Sequence, residues 1–194
     1  MLTWEKLELA EKNCQKCNLY LERYQTLCGN GNKNSDIMFI AEAPGENENI
    51  KGIPFVGKSG EILDKLLKSI NLDRNQIFIT NIVKCHPPHN RNPKYEEKEQ
   101  CIKWLKYEVA LLKPKLIVCL GKIASERLIF KNFSINKNHG KVFTRNNYTF
   151  IATFHPSALL RDNSKIPDAL NDFKIIKNTY IKLKEKNQWK IHWF

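Results

Sequence analysis

The sequence has no apolar stretch long enough to cross a membrane. Its longest clean apolar run, Leu116–Gly121, is closed by a lysine on each side and is far shorter than the ~20 residues that span a bilayer. The first residues, Met1–Lys6, have no basic patch followed by an apolar segment, so no secretory signal is expected. These absences argue against a membrane protein and predict a soluble, intracellular protein of the cytoplasm.

Repeats and low-complexity tracts are also absent, and the eight glycines and eight prolines are clustered. The chain has 194 residues, of which 42% are apolar. Because domains usually hold ~100–200 residues, residues 1–194 are expected to form a single domain. Six cysteines without a secretory signal are interpreted as thiols or metal ligands in a reducing cytosol.

The charge is strongly one-sided. Lys and Arg number 32 against 20 Asp and Glu, which leaves a net charge of +12. Such an excess favours a polyanionic partner, most often nucleic acid. A solvated, self-repelling surface would give the same excess, and charge alone does not decide between the two.

Strands and helices alternate along the chain. Four segments predicted to form buried strands are Asp36–Ala41, Gln76–Thr80, Leu116–Leu120 and Asn147–Phe154. Helices are predicted at Thr3–Lys12, after a Ser59 cap, from Pro93, between Gly121 and Phe130, and at Pro167–Lys184. This alternation predicts the α/β class, with helices covering both faces of a mostly parallel, four-stranded central sheet.

The predicted parallel sheet directs attention to one of its edges. In such sheets ligands bind in the loops beyond the carboxyl ends of the strands. Those loops begin at Glu42, Asn81, Gly121 and His155. Glu42, Asn81 and His155 are therefore candidate site residues.

Four cysteines have a spacing that suits metal binding. Cys14 and Cys17 form a C-x-x-C pair, Cys85 follows the second strand, and Cys101 lies on the inner face of the next helix. Four thiolates suit zinc or an iron–sulfur cluster, although a redox dithiol or buried thiols would also fit the pattern. Cys119 is predicted to be a core residue.

Three loop residues have side chains that could recognise a nucleobase. Phe55, in a loop rich in glycine and proline, could stack on a planar ring, or it could be an ordinary core residue. The amide of Asn81 could pair with a base edge, or it could cap a turn. His155, followed by apolar residues and Arg161, could contact a base and a phosphate, or it could be structural.

Three ordered segments and the four cysteines resemble one family. AEAPGENENIKGIPFVGKSGEILD, TNIVKCHPPHNRNP and FHPSALLR are similar to motifs of the iron–sulfur (family 4) uracil-DNA glycosylases, from Cys14 to at least Arg161. The resemblance implies a three-layer α/β/α sandwich and a [4Fe–4S] cluster. It also implies hydrolysis of the N-glycosidic bond of uracil in DNA, which leaves an abasic site without strand cleavage. The cluster ligands that it implies are Cys14, Cys17, Cys85 and Cys101.

The resemblance also implies roles for individual residues. Phe55 would stack on uracil, Asn81 would read its O4 and N3 edge, and His155 would donate to O2. Glu42 would position or deprotonate the attacking water, or stabilise the sugar cation by its charge. The remaining residues that the resemblance implicates are Asn90 in catalysis, Ala41, Ala43 and Glu48 around the base, and Ser157, Leu159, Leu160 and Arg161 on the DNA. Of these, Glu48 would block a C5 methyl group.

Two positions depart from the family pattern. Ala41 stands where the family usually has glycine, so the first turn of the pocket would be slightly displaced. The Asn90–Pro93 loop is short and lacks the insertion by which a related branch captures uracil-DNA covalently, so turnover is expected.

The expected partner is uracil-containing DNA, single- or double-stranded, and the expected state is a monomer. The sequence identifies no repair partner such as a sliding clamp. The main alternative is a nucleic-acid-binding iron–sulfur protein whose pocket merely holds a base. A lesser alternative is a zinc-stabilised binding module.

Overall fold

A central sheet organises the protein. The computed structural model describes the backbone of residues 1–191 and the side chains of residues 1–185. In these ranges the sheet has six strands in the order β1-β3-β2-β4-β6-β5. The strands are β1 (Asn30–Gly31), β2 (Ile37–Ala41), β3 (Phe78–Asn81), β4 (Leu116–Leu120), β5 (Val142–Arg145) and β6 (Tyr148–Thr153). The four inner strands are parallel, and the two edge strands are antiparallel to their neighbours.

The predicted α/β class is confirmed, but the predicted number of four strands is wrong. β1 has only two residues and both are exposed, so it has no apolar run to reveal it. β5 is mostly exposed and joins β6 through Asn146 and Asn147. Both asparagines have a positive φ, 48° and 65°, as a tight hairpin turn requires.

The inner strands are buried on both faces, and this explains their continuous apolar sequences. Every residue of β2, β3 and β4 is buried. Successive side chains of a strand point to opposite faces: Ile37 and Phe39 join one hydrophobic cluster, and Met38 and Ile40 join the other. The sheet is therefore the middle of three layers.

Helices form the outer two layers. They are α1 (Trp4–Lys12), α2 (Glu46–Lys51), α3 (Lys58–Lys68), α4 (Tyr95–Leu112), α5 (Lys122–Leu128), α6 (Ile135–Asn138), α7 (Pro156–Arg161) and α8 (Ile166–Ile191). Residues of α3, α7 and α8 belong to the first cluster, and residues of α1, α4 and α5 belong to the second. None of the helices in the described ranges is long and apolar enough to cross a membrane.

α1 and α8 begin one residue from the predicted Thr3 and Pro167, and the predicted starts of α3 and α4 differ from the structure more. Gly57, not Ser59, precedes the first residue of α3. α4 begins at Tyr95, two residues after Pro93, because the backbone N–H of Lys94 donates to Glu97 Oε2 at 2.7 Å and closes the first turn there. The short helices α2 and α7 lie in segments that the sequence analysis treated as loops, since each has only six residues.

The register of the strands fixes the functional edge of the sheet. Ala41 of β2 is the register partner of Asn81 of β3, and Leu120 of β4 is the partner of Thr153 of β6. Pairing continues one step further, because the backbone N–H of Val83 donates to the carbonyl of Glu42 at 3.1 Å. The four segments that follow these strands therefore meet at one edge.

Candidate active site

A cavity of about 610 Å³ opens at this edge of the sheet. Its walls come from the segments that follow β2, β3, β4 and β6. The predicted site residues that line it are Glu42, Ala43, Glu48, Phe55, Asn81, Asn90, His155, Ser157 and Arg161. Side chains far apart in sequence thus share one open cavity.

Three predicted residues do not line the cavity. Ala41 is the last residue of β2 and is only 1% exposed. Leu159 is 0% exposed and packs in the core between sheet and helices, so it presents no surface to DNA in this structure. Leu160, in contrast, is 43% exposed. Of the two leucines predicted to enter the DNA, only Leu160 is thus exposed, and its contact with DNA stays a prediction.

Phe55 forms one wall of the cavity. Its ring centroid lies 5.8 Å from that of His155, and the two ring planes are tilted by 30°. Its backbone has a φ of 54°, a left-handed conformation that bulky side chains rarely adopt. The turn that carries Phe55 must therefore be held by other groups.

His155 is held as a neutral imidazole. Burial lowers its pKa to about 4, and the positive charge of Arg161 adds to this effect. The backbone N–H of Ser157 donates to Nδ1 at 3.2 Å, so Nδ1 is an acceptor and the ring proton lies on Nε2. The ring can therefore donate from Nε2 without carrying a charge.

Gly121 allows the backbone of His155 to approach β4. Its φ is +89°, and a Cβ at this position would lie 2.9 Å from Cβ of His155. Both features require glycine. The sequence analysis placed Gly121 at the start of a site loop but gave it no role.

Glu42 and Asn81 add two further polar groups to the lining of the cavity. Burial raises the pKa of Glu42 above its ordinary value, and the positive charge of Lys98 opposes this rise. Asn81 is only 3% exposed. The cavity thus combines a carboxyl, an amide and a neutral imidazole.

Two further polar residues lie at the rim. The side-chain oxygen of Asn90 is 3.1 Å from Nε2 of His86, and Asn90 has a positive φ of 53°. Glu48 Oε1 accepts hydrogen bonds from the backbone N–H groups of Val56 at 3.1 Å and Gly57 at 3.3 Å. One oxygen of Glu48 therefore fixes the loop that follows Phe55.

Basic residues that the sequence analysis did not assign also line the cavity. Lys122 and Lys165 do so together with Arg91 and the predicted Arg161. Their signal in the sequence was weak, since Lys122 merely follows Gly121, and Lys165 lies outside the motifs.

The four predicted cysteines line a second, small cavity. Cys14, Cys17, Cys85 and Cys101 face it together, and three of them accept N–H donors. Their donors are Trp104 Nε1 to Cys14 at 3.3 Å, Arg23 Nη1 to Cys85 at 3.2 Å and the Lys84 backbone to Cys101 at 3.2 Å. Within residues 1–185, no three His, Cys, Asp or Glu side chains are arranged for a single metal ion.

A buried ion pair adjoins the cysteines. Lys84 and Glu108 have side chains that are each 1% exposed, with Nζ 2.6 Å from Oε2. Burial alone would lower the pKa of Lys84, but Glu108 and Glu11 outweigh it and raise that pKa. The sequence analysis missed this pair, although Glu108 follows Cys101 and Leu105 at helical spacing on the buried stripe of α4.

The chain is similar to known proteins over most of its length. The family model of the uracil DNA glycosylase superfamily matches residues 28–182. A type-4 uracil-DNA glycosylase of Archaeoglobus fulgidus is 38% identical over 84% of this chain and 86% of its own. The type-4 enzyme of Saccharolobus solfataricus is 41% identical, over 86% of this chain and 81% of its own. The chain therefore belongs to the uracil DNA glycosylase superfamily and, within it, to the type-4 uracil-DNA glycosylases.

Proposed function

We propose that this protein is a DNA repair glycosylase that flips uracil out of DNA and hydrolyses its N-glycosidic bond. The products are free uracil and an abasic site, and the strand stays intact. The observation that carries the proposal is the meeting of Glu42, Phe55, Asn81 and His155 around one cavity at the carboxyl edge of the sheet.

Asn81 and Phe55 are proposed to select the base. Uracil presents a donor at N3 and an acceptor at O4, whereas cytosine presents an acceptor and a donor there. A buried amide can match the first pattern with its own oxygen and nitrogen, and a mismatch would leave buried polar groups unpaired. The ring of Phe55 would cover one face of the uracil, with the backbone of Glu42 and Ala43 closing around it.

His155 is proposed to stabilise the leaving group. As the bond between the sugar and uracil N1 breaks, negative charge develops on uracil, in part at O2. A neutral Nε2–H donor aimed at this oxygen would act as an oxyanion hole does, at ~3–4 kcal/mol for one good donor. The lowered pKa of His155 supports this role, because the ring stays neutral at physiological pH.

Glu42 is proposed to act on the opposite side of the broken bond, where the sugar becomes cationic and water adds to its C1′ carbon. Its carboxylate would position or deprotonate that water, or stabilise the cation by charge. Each role requires the ionised form. Asn90 is proposed to assist as a second polar group.

The rim of the cavity is proposed to hold the DNA backbone. Ser157 and Arg161 would contact phosphates, and Leu160 would fill the space that the flipped nucleotide leaves. Flipping costs a few kcal/mol, and phosphate contacts offset this cost. Glu48 is proposed to exclude a C5 methyl group, in keeping with its place on the cavity wall.

The absence of strand cleavage is proposed from the lysines near the site. A lysine that forms a Schiff base needs a lowered pKa, usually from burial. The side chain of Lys122 is 61% exposed and lies 3.5 Å from Glu126, and that of Lys165 is 33% exposed and lies 3.3 Å from Asp162. Both side chains thus reach solvent and pair with a carboxylate, whereas a Schiff-base lysine is usually buried.

A [4Fe–4S] cluster on Cys14, Cys17, Cys85 and Cys101 is part of the proposal. The donor set fits it, since four thiols share one cavity and three of them accept N–H groups, as cluster sulfurs commonly do. When bound, the cluster would link the N-terminal segment covalently to the loop after β3. Trp104, Arg23 and the backbone of Lys84 would hold the ligand sulfurs in place.

The cluster is tested by substitution of one ligand. C85A should lose visible absorbance and bound iron, whereas C28S should keep both, because Cys28 does not line the small cavity. A colourless, iron-free wild type with full activity would contradict the assignment.

The activity is tested with uracil-containing oligonucleotides, single- and double-stranded, without added nucleotide or magnesium. Wild type should produce sites that break only after alkali treatment, and H155A and E42Q should lose most of this product. Strands that survive alkali while binding is preserved would favour the alternative of a base-binding protein without hydrolytic activity. Breaks before alkali would contradict the proposed intact strand.

Several features stay predictions. They are the single domain over residues 1–194, the monomeric state, the cytoplasmic location and the preference among single- and double-stranded uracil. The same holds for any repair partner such as a sliding clamp.

A further inference from the structure

The turn that carries Phe55 is gripped from outside the cavity by Arg74, a residue of the segment before β3. Arg74 Nη1 donates to the carbonyl of Pro54 at 3.0 Å, and Nη2 donates to the carbonyls of Phe55 at 2.6 Å and Gly60 at 3.3 Å. Asp64 holds the guanidinium in turn, with Nε 2.6 Å from Oδ1. One side chain therefore binds three carbonyls that surround the turn.

Two features of the turn require stabilisation by such hydrogen bonds. Phe55 has a φ of 54°, and the left-handed conformation is unfavourable for a residue with a Cβ. In addition, the first turn of α3 approaches the carbonyl of Phe55 so closely that a Cβ on Gly60 would collide with it. Carbonyl groups crowded in this way are stabilised by a cationic donor.

A second group holds the same turn from the other side. Glu48 Oε1 accepts the N–H groups of Val56 and Gly57, directly after Phe55. The carbonyls before and at the turn thus face a cation, and the N–H groups after it face an anion. The ring of Phe55 is left in the cavity wall beside His155.

We propose that Arg74, oriented by Asp64, is a positioning residue that determines how tightly the cavity holds the uracil ring. Arg74 does not line the cavity, so it acts through the orientation of Phe55 and not by touching the base. The inference rests on the proposed stacking role of Phe55. It adds a residue, outside the motifs, on which base affinity depends.

The test compares R74Q with R127Q, a matched control. Arg127 pairs with Glu99 at 2.9 Å, and the side chains of this pair are 30% and 37% exposed, against 30% and 40% for Arg74 and Asp64. Binding of radiolabelled free uracil is measured by equilibrium dialysis, and binding of DNA with a stable abasic analogue is measured separately. Thermal unfolding of each holoenzyme shows whether it is folded.

R74Q should weaken uracil binding about tenfold and leave abasic-DNA binding within about twofold, and R127Q should change neither. R74K should restore only part of the affinity, because an ammonium cannot reach three carbonyls in the fixed geometry of a guanidinium. In a double-mutant cycle with F55A, the effect of R74Q should largely disappear, since residues that act through one contact are not additive.

Equal uracil binding by R74Q and R127Q, or full additivity of R74Q with F55A, would overturn the inference. If R74Q does not fold, D64N provides the same comparison, because it loosens the guanidinium without removing it. Wild type that binds uracil but excises none would overturn the proposed function alone. Wild type that binds no uracil would overturn the positioning role.

Discussion

A neutral imidazole and an ionisable carboxyl line the same cavity, and burial moves their pKa values in opposite directions. It lowers that of His155 and raises that of Glu42, because a low dielectric disfavours the charged form of each group. The proposed chemistry uses His155 uncharged and Glu42 charged. Only Glu42 therefore acts in a charged form that its buried environment disfavours.

The acid side of the pH–rate profile should report Glu42. His155, with a pKa of about 4, is already neutral above about pH 5. Burial raises the pKa of Glu42 above its ordinary value, so as the pH falls Glu42 takes up a proton before His155 does. The kcat/KM of wild type should fall as pH falls through the raised pKa of Glu42.

The variants separate the two groups. The residual kcat/KM of E42Q should no longer fall at acidic pH. The kcat/KM of H155A should be lower than that of wild type by ~10²–10³, and it should still fall at acidic pH. If this acidic fall disappears in H155A and persists in E42Q, it reports His155 and not Glu42.

Asn81 offers a second test at the residue scale. N81D should reduce uracil excision by about 10- to 100-fold, the value of one well-formed base contact, because a carboxylate repels uracil O4. It should also raise the excision of cytosine, because the carboxylate can accept a hydrogen bond from the amino group of that base. N81A is the control and should lose uracil activity without gaining cytosine activity. Unchanged uracil excision in N81D would show that another residue reads the base.

At the scale of elements, α4 contributes both a proposed cluster ligand and a buried charge. Cys101 and Glu108 lie two turns apart on its buried stripe, and Glu108 accepts from Lys84, Thr80 and the backbone of Gly29. The helix is thereby tied to β3 and to the segment before β2. Its position affects the cysteine cavity and the sheet together.

Removal of one partner from this ion pair should be costly. E108A should lower the free energy of unfolding by ~3–5 kcal/mol, because it removes the carboxylate that pairs directly with the buried Lys84 and leaves only the charge of Glu11 to act on that ammonium. E99A, which removes the exposed pair with Arg127, should cost ~0–1 kcal/mol. Urea unfolding of the holoenzymes measures both. Similar losses in the two variants would mean that burial does not determine the strength of the pair.

The sequence predicted those elements whose own residues carry a clear pattern of burial. Leu116–Leu120 is a strand with the predicted bounds, since an apolar run buried on both faces has a clear pattern. β5 was missed because its sequence is mostly polar. In the site, the loop residues at strand ends were predicted from topology. The guanidinium of Arg74 was not, because its contacts join segments that are 14 to 20 residues apart.

At the scale of the whole molecule, part of the positive charge that gives a net +12 lies at the cavity. Arg91, Lys122, Arg161 and Lys165 line the cavity that the proposal assigns to uracil. Three of them pair with carboxylates, Arg91 with Glu97, Lys122 with Glu126 and Lys165 with Asp162. The basic lining therefore attracts DNA with less than four full charges, over a range set by ionic strength.

The salt dependence of DNA binding should show the contribution of the rim. For abasic-analogue duplex, the logarithm of the binding constant should fall linearly with that of salt concentration. R161Q should reduce the slope by about 0.9, the value for one phosphate contact, and R127Q should leave it unchanged. A slope that R161Q does not alter would place Arg161 away from the phosphates.

The pairing of Ala41 with Asn81 restricts how this enzyme could acquire a new base preference. A one-residue slip of either strand would turn its side chains to the opposite face. An insertion or deletion in these strands would therefore displace the Asn81 amide relative to Glu42, and both catalysis and base selectivity would be lost. A point substitution at position 81 leaves the strand backbone in place. New specificities are therefore accessible by exchange of single side chains and closed to changes in strand length.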